Sequence, residues 1–237
     1  MSAAALLVFA RCAGFAFRAP GFSHPSVPHA LRAGLAFFLA ATIAPAVRAP
    51  HLAGPLVVLA LASEFGIGSA IGLGASVLYD GAFAGGRMLD DYVGVKAIAP
   101  NLDLVAPSGF GRLWSLAFTG GFFLLGAYRP TLLGFAASFE RVPPGVPLDL
   151  HAWSAYALSL AVTIVLVAIA VAAPAIVLAF VTQIALAALA RTIPRFASFT
   201  LSFPLVFAVV LIATALALPF VAARAGTPLL LVPEAMR

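Results

Sequence analysis

Charge is what this chain has least of. Of its 237 residues, 13 are basic and 8 are acidic, 9% in all, against a hydrophobic share of 63%. A soluble domain carries about a quarter of its residues as charges to keep its surface wet, so a water-exposed globule is excluded. Cysteine is nearly absent too. Cys12 stands alone, which rules out an intramolecular disulfide and a thiolate metal cluster and leaves the redox compartment unreadable. Lysine is represented by Lys96 only, and the arginines behind the net charge of +5 are scattered through connectors. That scatter fits membrane orientation and not nucleic-acid binding. Missing as well are the HExxH of zinc proteases, the GxSxG nucleophile elbow, a Walker lysine and any His/Cys cluster at metal-ligand spacing. His24, His29, His51 and His151 all lie near proline-rich connectors. The sequence therefore nominates no catalytic residue, no metal ligand and no cofactor site.

What is present is apolar sequence in stretches of bilayer length, 2–17, 30–47, 52–79, 113–137, 153–190 and 197–223. They predict an all-α, multi-span integral membrane protein of about six hydrophobic segments, with 1–237 as a single membrane-embedded domain. Residues 1–17 lack the basic start of a signal peptide, and Arg11 interrupts the apolar core such a peptide needs. They read as a retained first helix whose arginine either snorkels or faces protein. The run 153–190 would make a helix of about 57 Å against a hydrocarbon core of ~30 Å. Pro174 sits near its middle, so two helices or one sharply bent helix are expected there, raising the count to seven or eight.

Two connectors are long enough for structure of their own. Residues 18–29 contain Pro20, Pro25 and Pro28 and form a rigid bend. Residues 80–112 carry Asp80, Asp90, Asp91 and Asp103 with Arg87, Lys96 and Arg112, yet stay glycine-rich and partly apolar. They read as a polar connector, re-entrant or partly buried. Basic residues in alternate connectors number seven on one side and four on the other, which places both termini outside the cytoplasm on a six-span path.

Within the apolar runs three features stand out. Gly68 and Gly72 form a GxxxG pair, flanked by Gly66 and Gly74, and Gly81 and Gly85 form another. Such spacing lets helix backbones approach closely in lipid, and packing between subunits and packing within the chain both stand open. Glu64 is the one acidic residue embedded in a long apolar run. It would line a polar path or, as favoured here, hydrogen-bond Ser63 or a neighbouring helix in a structural role. Asp90 and Asp91, adjacent on a helix, point ~100° apart and make no facing dyad. Pairing of one of them with Arg87 at helical spacing is expected.

The order of further landmarks carries a resemblance. Arg11, Ala19-Pro20, Val27-Pro28, Arg32 with Leu35-Ala36, and Pro45 are followed by Glu64, Gly68 and Gly72. Then come Gly86-Arg-Met-Leu-Asp90, Gly94, the Gly120-Gly121 pair, Pro194 and Ser202-Phe203-Pro204. This succession resembles the export-gate subunit shared by flagella and type III secretion systems, the FliR/SpaR/SctT-like family, over nearly the whole chain. Asp90, Gly120-Gly121 and Ser138-Phe139 before Pro143 look like the injectisome branch. Val206, where that branch often has lysine, departs from it, and the Asn-Gly-His of flagellar members is absent.

The resemblance implies a non-enzymatic part of a protein-export channel in the bacterial inner membrane. One copy joins several copies of two smaller membrane subunits in a hetero-oligomeric helical ring of long bent helices around the path of unfolded secreted proteins. The ring then meets the switch subunit and the large export-gate ring. It marks Arg11, Pro20, Pro28, Arg32, Glu64, Gly68, Gly72, Gly86, Asp90, Gly94, Pro194 and Pro204 as packing or structural positions. Some of the 20 phenylalanines would plug a constriction, while most serve as core or lipid-facing side chains. No nucleic acid and no cofactor are implied. The flagellar counterpart is the alternative. More remote are a small-molecule permease, disfavoured because no internal repeat is found, and an intramembrane enzyme using Glu64, Asp90 or Asp91.

Overall fold

The computed structural model describes residues 3–23, 27–47, 54–94, 109–146, 150–193 and 199–224. Seven α-helices and one short 3₁₀ turn make up its regular structure, and no strand occurs among the described residues. The helices are α1 (Ala3–Arg18), α2 (His29–Ile43), α3 (Pro55–Val93), α4 (Gly109–Leu124), α5 (Tyr128–Arg141), α6 (Leu150–Ala190) and α7 (Phe199–Arg224), with the 3₁₀ turn Ala44–Ala46 after α2.

By length and apolarity three helices can cross a membrane, His29–Ala46, Pro55–Val93 and His151–Ala190, and α4 with α5 would make a fourth, broken span. With 39 and 41 residues, α3 and α6 measure about 58 and 62 Å, twice the ~30 Å of a hydrocarbon core.

Helix boundaries differ from the hydropathy runs at three places. Helix α3 does not stop near residue 79 but continues through Asp80, Arg87, Asp90 and Asp91 to Val93, so the first half of the expected polar connector is helix. Its buried positions Ala82, Leu89 and Val93 share one face, and Arg87 and Asp91 lie exposed on another. An amphipathic turn of this kind drops out of a hydropathy average although the helix runs on. Gly94, at φ +80°, then ends α3 with its N–H on the Asp90 carbonyl, the left-handed cap that glycine adopts at least cost. Residues 95–108 of that connector lie outside the described residues.

The run 113–137 is two helices, because Gly126 at φ +74° interrupts the path between α4 and α5. The run 153–190 is one continuous helix with Pro174 inside it. Proline removes one backbone bond, to the carbonyl of Ala170, and the apolar turns on both sides carry the helix past it. Among the described residues the added division thus falls at Gly126 and not at Pro174.

The chain sorts into two compact units. The first takes the described residues up to Val77 together with Phe122–Val162. Its core joins Val8, Cys12, Phe15 and Ala16 of α1, Ala36 and Ala40 of α2, Ile67 and Ile71 of α3, and Phe135 and Phe139 of α5. Phe15 stacks on Phe135 with centroids 4.2 Å apart. The second unit takes the described residues of Leu78–Gly121 and of Thr163–Gly226. Its core sets Ala82 and Leu89 of α3 and Phe110, Trp114 and Phe118 of α4 against Val171, Ala175 and Ala179 of α6 and Val210 of α7. The phenylalanines divide accordingly: Phe15, Phe110, Phe118, Phe135 and Phe139 are core, whereas Phe17, Phe37, Phe38 and Phe180 are exposed.

Candidate functional site

In the first unit, the start of α3 and the middle of α1 meet along a stripe of small residues. Glu64, Gly68 and Gly72 recur every fourth residue and so share one face of α3. A Cβ at Gly68 would collide with the Arg11 carbonyl, and one at Gly72 would lie 2.8 Å from the Phe15 carbonyl. From the other side Gly14 leaves no room for a Cβ beside the Phe65 carbonyl. The GxxxG pair therefore packs within this chain, backbone on backbone. Gly66, on another face, has nothing within 4 Å of its would-be Cβ.

Close approach at Gly68 delivers two opposite charges to each other. Arg11 donates from Nε to Glu64 Oε2 at 2.6 Å, and both side chains are fully buried. Isolated charges at such depth cost several kcal/mol each, and a pair persists only where further hydrogen bonds take up what the ion pair leaves over. Here Arg11 Nη1 donates to the Ser138 carbonyl at 3.1 Å, and the guanidinium lies 4.4 Å from the centre of the Phe139 ring. Ser138 belongs to the last turn of α5, where its carbonyl also accepts from the Val142 N–H and the helix dipole favours a cation. On the acid side, the Gly145 N–H donates to Glu64 Oε1 at 2.9 Å. Gly145 has φ +83°, a conformation open to glycine and strained for other residues. The ion pair thus joins α1, α3, the end of α5 and the turn after it. Arg11 faces protein and does not snorkel. Glu64 takes a neighbouring helix as partner, and Ser63 bonds the Ala60 carbonyl instead.

In the second unit the same device recurs with one charge. Asp90, 3% exposed, accepts from the Phe110 N–H at 3.1 Å and from the Gly111 N–H at 3.4 Å. It thereby caps the free donors at the start of α4 and places a negative charge at the positive end of that helix. Gly86, one turn earlier, lies so close to Gly111 that no Cβ fits. Gly81 and Gly85 face α6, at Val167 and at the Ala168 carbonyl. The carboxylate thus faces α4, and Arg87, one turn away, is exposed.

The other candidate positions are structural in a plainer way. Pro20 is buried in the turn after α1. Pro28 is the N-cap of α2, its carbonyl accepting from the Leu31 and Arg32 N–H groups, and Arg32 Nη2 reaches back to the Ser23 carbonyl at 3.3 Å. Pro204 is exposed in the second turn of α7, and Pro194 lies outside the described residues. Gly14, Ser138, Gly145 and Gly111 escaped the sequence reading as partners. No group of three His, Cys, Asp or Glu side chains able to hold a metal ion lies among the described residues.

The model of the family "Bacterial export proteins, family 1" matches residues 2–228, so the chain belongs to that family. A comparison with curated proteins returned no match. Family membership and the apolar helices together make this chain a multi-pass inner-membrane component of a multi-subunit bacterial protein-export apparatus.

Proposed function

We propose that this bacterial export protein is a non-enzymatic subunit of the export gate of a type III secretion system, on the injectisome branch. The observation that carries the reading is the family match along residues 2–228. The disposition of polar groups supports it. Arg11, Glu64 and Asp90, the buried charges among the described residues, are engaged with one another or with backbone at helix ends, in the manner of a scaffold. Asp90, Gly120-Gly121 and Ser138-Phe139 favour the injectisome branch. Val206 departs from that branch, and the flagellar counterpart is the second reading.

In this role residues 1–237 act as one membrane-embedded unit. A single copy joins several copies of two smaller ring-forming membrane subunits and then meets the switch subunit and the large export-gate ring, while unfolded proteins pass through. Arg11, Glu64, Gly68, Gly72, Gly86, Asp90 and Gly94 set the shape that the neighbours recognise, as do Pro20, Pro28, Arg32, Pro194 and Pro204. Tagging the chain, expressing it with and without the two smaller subunits, and weighing the detergent-extracted particle by native mass spectrometry tests the reading. A large particle with one copy of this chain is expected. A stable monomer or symmetric homodimer that ignores those subunits would overturn it and bring the permease forward.

A further inference from the structure

In the first unit an open groove of about 800 Å³ runs between the end of α2 and one face of α5. Thr42 and Ala46 form one wall, and Leu133, Ala136, Ala137 and Glu140 form the other. The α5 residues fall at i, i+3, i+4 and i+7, a single stripe along the helix. Three alanines in the lining leave space for a backbone to come close, as small residues do where helices pair in lipid. Leu133 is 72% exposed on this face.

The polar groups of the groove select the occupant. The Thr42 hydroxyl is turned inward on its own helix, bonded to the Phe38 and Leu39 carbonyls, and offers little to a ligand. Glu140 is exposed. It also stands in the last turn of α5, where the helix dipole disfavours a carboxylate. A negative charge in an adverse place, on the wall of an apolar groove, calls for a cation from outside.

We propose that this groove receives an apolar helix of one of the smaller ring-forming subunits, and that this helix carries one Lys or Arg set against Glu140. The proposal rests on the export-gate reading and gives it a contact face. An anionic lipid is disfavoured by the same carboxylate, and a lipid that sets an ammonium headgroup against Glu140 is the rival occupant, which a crosslink to lipid alone would reveal. The stripe of anchors at helical spacing beside a charge is the helix-in-groove mode of recognition.

The test is a photo-crosslinker, benzoylphenylalanine, at Ala137 of the full chain expressed with both smaller subunits, read with native Glu140 and with Glu140→Gln and Glu140→Lys. A crosslink from position 137 to a smaller subunit is expected. Its yield should fall modestly for Gln and about tenfold or more for Lys, because like charges then face each other. Glu140 is exposed and lysine suits a helix C-terminus, so the isolated chain should keep its melting temperature in both variants. An assembled complex with no subunit crosslink at 137, with crosslinks to lipid alone, or with equal yield for Glu140→Lys overturns the groove proposal. Failure of the native chain to assemble at all overturns the export-gate reading, and this proposal with it.

Discussion

Arg11 and Glu64, 53 positions apart, form a 2.6 Å ion pair in which neither side chain reaches solvent. Each is also tied to the end of α5 or the turn after it, Arg11 through the Ser138 carbonyl and Glu64 through the Gly145 N–H. The arrangement explains how charge is tolerated inside two apolar helices. It also makes the pair a positioning device, since moving α1 by one turn would break both bonds that Arg11 makes, to Glu64 and to the Ser138 carbonyl.

Removing one partner should therefore cost more than removing both. Arg11→Leu or Glu64→Leu leaves a buried, uncompensated charge and should destabilise the chain by about 3–5 kcal/mol. The double replacement by leucines should recover a large part of that loss, because two apolar side chains need no hydrogen bonds. Thermal unfolding in detergent for the two single variants and the double variant completes the cycle. Additive losses would show that the two residues act independently and that the pair is not the clamp described here.

Glycine substitutions should separate sharply by face. Gly68→Ala pushes a methyl group into the Arg11 carbonyl, a backbone atom that cannot step aside without moving α1. A loss of about 1–3 kcal/mol is expected, the usual cost of overpacking. Gly66→Ala, two residues away, meets open space and should gain up to about 1 kcal/mol of helix propensity. Expression level and melting temperature of the two variants check the contrast. Equal effects would mean that α1 and α3 are not in backbone contact at Gly68.

How much of this was legible in the sequence depends on the range of the interaction. The spacing Glu64, Gly68, Gly72 marks one helix face, and that face is the one that packs. Which helix it meets was not legible, since Arg11 lies in another run and periodicity carries no information between runs. A lone basic residue in one apolar run and a lone acidic residue in another is a signal that, taken together, points to the pair. Hydropathy failed in two opposite ways elsewhere. It ended α3 early because Asp80, Arg87 and Asp91 lower the average, although the helix continues with Arg87 and Asp91 on its exposed side. It carried the fourth run through Gly126 because one glycine in an apolar window leaves no trace, yet its positive φ divides α4 from α5. Either Asp90 or Asp91 was expected to pair with the nearby Arg87, whereas Asp90 caps a helix start 20 residues onward.

The cap at α4 makes a graded prediction. Asp90→Ala leaves the Phe110 and Gly111 N–H groups without their acceptor and should cost about 1–2 kcal/mol. Asp90→Asn keeps one acceptor oxygen for the shorter bond from Phe110 but loses the longer bond from Gly111 and the charge at the helix N-terminus, the latter worth about 0.3–1 kcal/mol. Hydrogen–deuterium exchange over residues 109–112 is the direct readout. Exchange should rise strongly in the alanine variant and slightly in the asparagine variant, with α1 and α5 unaffected. Unchanged exchange in both would remove Asp90 from the role of cap.

Pro174 offers the last separation, between a hinge and an interruption that the helix absorbs. If α6 needed a break at this point, replacing the proline would straighten or misfold it and impair assembly. Because α6 runs unbroken from Leu150 to Ala190, Pro174→Ala should instead restore the missing bond to the Ala170 carbonyl. Proline is about 3 kcal/mol less favourable than alanine inside a helix. Some of that difference should appear as a higher melting temperature, with assembly onto the other export subunits intact. A variant that is more stable alone yet no longer assembles would restore the hinge, and would make the curvature of α6 at Pro174, and not its length, the feature that the neighbours read.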